Sequence, residues 1–64
     1  MKYVYIKKTE KGEPVISKKF DSKNQVIDEI ELRHELSTQA VSRLRLYGRI
    51  SLPAYTLEIV EATD

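Results

Sequence analysis

With 64 residues the chain has room for one domain, spanning 1–64, and a domain this small buries only about 60% of the surface its unfolded form exposes. It has no cysteine and a single histidine, His34, which argues against both a disulfide framework and a His/Cys metal centre. Eleven Lys and Arg against ten Asp and Glu leave a net charge of +1, too balanced for total charge to announce a nucleic-acid partner.

The order of the charges says more than their sum. Residues 1–23 carry seven Lys and three acids, and residues 24–36 carry four acids and Arg33. Residues 37–53 carry Arg43, Arg45 and Arg49 with no acid, and the segment from Ala54 onward is acidic again. Any basic surface must therefore come from the first and third blocks. The first residues, Met1 to Lys8, lack a long apolar core and a small-residue cleavage site, so they do not read as a signal peptide. No apolar run approaches the ~20 residues that cross a bilayer. The expectation is a cytoplasmic protein without a membrane partner. With a thin core and no covalent staple, a homodimer is a reasonable expectation.

In chain order, residues 2–8 are rich in Tyr, Val and Ile and predict a strand. Val4 and Ile6 fall on one face of it, and Tyr3, Tyr5 and Lys7 on the other. Residues 9–14 form a polar turn in which Gly12 can take positive φ and Pro14 cannot donate to a ladder. Residues 15–20 alternate again, with Ile16 and Phe20 sharing a face, and so predict the second arm of a β-hairpin.

Ser22 followed by Gln25 is a capping box, and a helix starts there. Val26, Ile27, Ile30 and His34 make its apolar arc, with Asp28, Glu31 and Glu35 opposite and Glu29 and Arg33 spaced for an ion pair. The acids read as a solvated face, since nothing nearby would desolvate them or split their pKa values. Ser37 caps a second helix, with Leu36 and Val41 placed as a hydrophobic staple. Ala40, Val41, Leu44 and Tyr47 fall on its inner side, Leu46 on its outer side, and Gly48 ends it. Residues 50–60 are extended and broken by Pro53, and residues 55–60 predict the last strand.

The segment from Glu29 to Arg43 resembles the two-helix core of helix-turn-helix DNA-binding proteins. Leu36-Ser37 is similar to their turn and cap, and Val41-Ser42-Arg43 to the middle of a recognition helix. Gly48-Arg49-Ile50 is similar to the entry into the wing of a winged helix. The chain differs from that pattern at Glu31, His34 and Glu35, where the family usually has a small residue, an apolar residue and glycine. It also offers a hairpin in place of the usual third helix. The resemblance implies double-stranded DNA as partner, with Thr38, Gln39, Ser42 and Arg43 reaching base edges and Arg45 and Arg49 touching phosphate.

These readings combine into an α+β fold: a three-stranded, mainly antiparallel sheet in the order strand-strand-helix-helix-strand, with both helices packed on one face. The first strand is expected beside the last, with Val4 and Ile6 sharing a layer with Leu57 and Ile59. His34 is expected as a half-buried boundary residue. Two functions compete. One is a DNA-binding accessory or regulatory module working through helix 37–48. The other is a protein-interaction module, an inhibitor or assembly adaptor, using the sheet edge or the tyrosine face. No catalytic set, metal site or cofactor motif stands out, so the reading is a non-enzyme without cofactor.

Overall fold

Alternating apolar residues and two serine caps divide the chain into six elements, seen in a computed structural model that describes residues 1–62. They are β1 (Lys2–Lys8), β2 (Val15–Ile16), α1 (Lys23–His34), α2 (Thr38–Tyr47), β3 (Arg49–Ser51) and β4 (Thr56–Ala62). The strands form one antiparallel sheet in the order β2-β1-β4-β3. The sheet thus has four strands where three were expected. The extended stretch before Pro53 is a strand of its own, and Leu52 to Tyr55 is the turn that pairs it with β4, closed by the Leu52 amide donating to the Tyr55 carbonyl at 2.8 Å.

β1 and β4 are the central pair, in register from Lys2 opposite Ala62 to Lys8 opposite Thr56. This register corrects the expected face. Val4 lies across from Val60 and Tyr5 from Ile59, so Tyr3 and Tyr5 share a face with Leu57 and Ile59 while Val4 and Ile6 occupy the other. Tyr5 and Leu57 join Val26, Ile27 and Ile30 of α1 and Leu44 of α2 in the buried cluster, with Tyr3, Phe20 and Val41 packed around it. Tyrosine contributes a larger apolar body than valine, and the helices settle on the face that offers it. The tyrosines are therefore core, and the tyrosine face expected as a docking surface is covered.

The second arm of the first hairpin departs from simple alternation. Ile16 is opposite Ile6, but Phe20 is opposite Tyr3, so this arm advances four residues while β1 advances three. That extra residue is a β-bulge, and it turns the chain over. Ile16 stays on the open face, 64% exposed, whereas Phe20 swings to the helix side and stacks on Tyr5 with ring centroids 6.4 Å apart. The expected sharing of one face by Ile16 and Phe20 is overturned. At the bulge the Tyr5 amide donates to Ser17 Oγ at 2.9 Å, which satisfies a backbone donor that the broken ladder would orphan. In the turn before it, Gly12 does not take positive φ. Its amide donates to Thr9 Oγ1, and a Cβ at this position would come within 2.9 Å of that oxygen, so the Thr9 side chain would have to shift.

Ser22 caps α1 by accepting from the Gln25 amide, while the Gln25 side chain reaches back to the Asp21 amide at 2.9 Å. Arg33 donates to Glu29 at 2.7 Å, one turn away. The helices do not pack as expected: α1 touches β1 and α2 to a similar extent, whereas α2 lies chiefly against β3.

Candidate nucleic-acid interface

α1 ends at Glu35, which takes the left-handed conformation at φ 51° and ψ 49°, and Leu36 and Ser37 complete a three-residue turn. The position where the helix-turn-helix pattern has glycine thus does adopt the conformation glycine favours, here with a glutamate side chain. Ser37 caps α2 by accepting from the Ala40 amide at 3.2 Å. At the other end Gly48, φ 75°, donates to the Leu44 carbonyl, and its own carbonyl accepts from the Ile59 amide, both at 2.8 Å. One glycine therefore ends α2 and locks the following strand onto the sheet. The helix and the β3–β4 hairpin form a continuous, pinned unit.

The six residues singled out in the sequence, Thr38, Gln39, Ser42, Arg43, Arg45 and Arg49, are all exposed. They do not form one patch. At 100° per residue Gln39 and Ser42 lie on the outward face of α2 opposite Leu44, with Leu46, 74% exposed, between them. Arg45 and Thr38 fall on one flank, and Arg45 is turned toward α1, donating to Asn24 Oδ1 at 3.1 Å. Arg43 falls on the opposite flank and meets Arg49 in a shallow open cleft of about 800 Å³ at the β3 edge.

That cleft also contains Lys8 from the end of β1 and Tyr47 from the last turn of α2. Tyr47 was expected in the core. It is 68% exposed because α2 passes the last sheet contact at Leu44, and the final turn projects beyond the buried cluster. Among the described residues neither Arg43 nor Arg49 makes an ion pair. Among the described residues Glu58 is the one acid lining the cleft, and it is held by Lys8 at 3.6 Å. Sequence reasoning missed Lys8 and Tyr47. The register that sets Lys8 opposite Thr56 has no local signature, and the length of α2 beyond its core contact depends on the sheet.

His34 is half-buried at the end of α1. Its Nδ1 is 2.8 Å from the Tyr55 hydroxyl, and its ring meets Tyr5 edge-on. Burial, followed by the charges of Lys7 and Arg33, pushes its pKa below the ordinary value. Burial likewise raises that of Tyr5. These shifts belong to an aromatic cluster within the fold. Among the described residues no three His, Asp or Glu side chains converge to hold a metal ion, and no helix is long and apolar enough to cross a membrane. The chain matches no protein-family model, and neither the curated proteins nor the solved structures contain a significant match to it.

Proposed function

We propose that this protein binds double-stranded DNA, with the outward face of α2 directed into the major groove. The observation that carries the reading is the free basic edge of α2. Among the described residues Arg43 and Arg49 have no carboxylate partner, and they stand on a helix-and-hairpin unit whose residues 37–53 contain no acid. Groove binding needs an exposed helix that phosphate does not repel, with side chains that can read base edges. Gln39 and Ser42 supply the polar readers near the middle of that face, and Gln can bond adenine bidentately. Arg45, held toward α1, contributes to phosphate only after leaving Asn24. The outer face of α1 carries Asp28, Glu31 and Glu35, so it points away from the duplex.

The test is a mobility shift against random-sequence duplexes at low salt, with wild type and the Arg43→Ala/Arg49→Ala double variant. Non-specific DNA binders with dissociation constants near ~10⁻⁵ M register at about 50 mM salt and 10 µM protein. Wild type should shift the duplex and the double variant should not. Absence of any wild-type shift under these conditions removes the reading.

A second reading has its own observation. The sheet face turned away from the helices presents Ile6, Val60 and the exposed Ile16, and β2 leaves a short open edge beside them. Such a face suits a protein partner or a second copy of the chain. Sedimentation equilibrium separates these: a species above 7.4 kDa at micromolar concentration favours self-association through this face.

A further inference from the structure

We propose that the cleft at the β3 edge is a second DNA contact, holding the sugar-phosphate backbone beside the groove that α2 enters. Lys8 and Tyr47 act there with Arg43 and Arg49, and Glu58 limits the affinity. This extension rests on the DNA reading of α2. Three cations reach the cleft from three separate elements, β1, α2 and β3, and the pinned Gly48 junction joins the two elements that carry Arg43 and Arg49. Two of them lack any carboxylate partner among the described residues. A phosphate chain is the ligand such a surface fits: it is polyanionic, extended and tolerant of an open, shallow wall. Tyr47, exposed beside the two arginines, offers a flat apolar ring and a hydroxyl to the sugar edge. Glu58 is the unfavourable element. Its carboxylate engages Lys8 at 3.6 Å, so it competes with phosphate for that cation, and its backbone lies opposite Arg49 in the ladder.

The competition gives a test with a gain as well as losses. A labelled random-sequence duplex is titrated by fluorescence anisotropy across a salt series, with circular dichroism confirming that each exposed-site variant is folded. Glu58→Gln should tighten binding roughly fivefold at low salt, about the Coulombic effect of one carboxylate close to a phosphate in water. Against that background, adding Lys8→Gln should flatten the slope of log affinity on log salt by about one phosphate contact. Tyr47→Leu should weaken binding while leaving the slope unchanged, since no charge is lost. A merely structural Glu58 would not yield a gain on removal. If wild type binds and Gln39→Ala weakens it, but Glu58→Gln brings no gain and the Lys8 and Tyr47 variants match wild type, the cleft is not a DNA contact and the α2 reading stands alone. If wild type binds no duplex, both readings fall together.

Discussion

His34 shows how one side chain can tie distant parts of a small fold together and make stability depend on pH. It extends from the last turn of α1, bonds the Tyr55 hydroxyl just before β4, and rests edge-on against Tyr5 of β1, with ring centroids 6.3 Å apart. Lys7 lies over the Tyr55 ring, and Arg33 is its neighbour along the helix. Burial and these two cations disfavour the imidazolium, and Glu29 opposes them more weakly. The folded state therefore takes up the proton less readily than the unfolded chain. The stability contributed by the neutral ring is fully present above the unfolded value near 6.5 and is lost as pH falls below it, until the folded form protonates as well. The midpoint of thermal unfolding should fall between about pH 7.5 and pH 5, a window in which histidine is the side chain that ordinarily titrates. His34→Gln should remove most of that fall. An equal fall in wild type and variant would place its origin elsewhere.

At the scale of elements, local chemistry settles the ends of the helices and tertiary pairing settles the sheet. The two helices, their serine caps, the Glu29–Arg33 pair and the Gly48 stop were legible because each depends on residues within about one helical turn. The choice of core face on β1 was not. Both faces of that strand alternate correctly, and only the pairing of Tyr5 with Ile59 decides between them. The bulge that turns Phe20 inward was hidden for the same reason, since nothing between Ser17 and Lys19 marks an extra residue until the partner strand is known. Of the candidate site, the exposure of the α2 residues was legible from helical spacing. The convergence of Arg43, Arg49, Lys8 and Tyr47 was not, because it joins three elements. The turn between the helices carries its own test. Glu35 sits at φ 51°, a conformation that side chains with a Cβ adopt at a cost of roughly 1–2 kcal/mol and that glycine adopts freely. Glu35→Gly should therefore stabilise the fold by about 0.5–1 kcal/mol in a urea melt, the relief of strain exceeding glycine's greater freedom in the unfolded chain. A destabilised variant would show that contacts of the Glu35 side chain outweigh that strain.

For the molecule as a whole, the same helix supplies the proposed DNA-reading surface and a central part of the core, so the proposed binding is coupled to folding. Fully buried side chains are few: Val26, Ile27, Ile30, Leu44 and Leu57. Leu44 is the one that α2 contributes, and its neighbours Arg43 and Arg45 face solvent. Stability of about 0.05–0.15 kcal/mol per residue gives a chain of this length roughly 3–10 kcal/mol in total. Truncating a fully buried leucine costs about 2–5 kcal/mol, a large share of that sum. Leu44→Ala should accordingly lower the urea midpoint sharply and leave a substantial unfolded population in water, whereas Leu46→Ala on the same helix, exposed to solvent, should stay within about 0.5 kcal/mol of wild type. If the proposed DNA binding holds, it selects the folded form, and saturating duplex should raise the midpoint of Leu44→Ala by an amount that grows with the logarithm of duplex concentration. Equal losses from the two leucine variants would mean that α2 does not anchor the core through Leu44. A midpoint indifferent to duplex, in a variant that still folds, would mean that duplex does not bind the folded form.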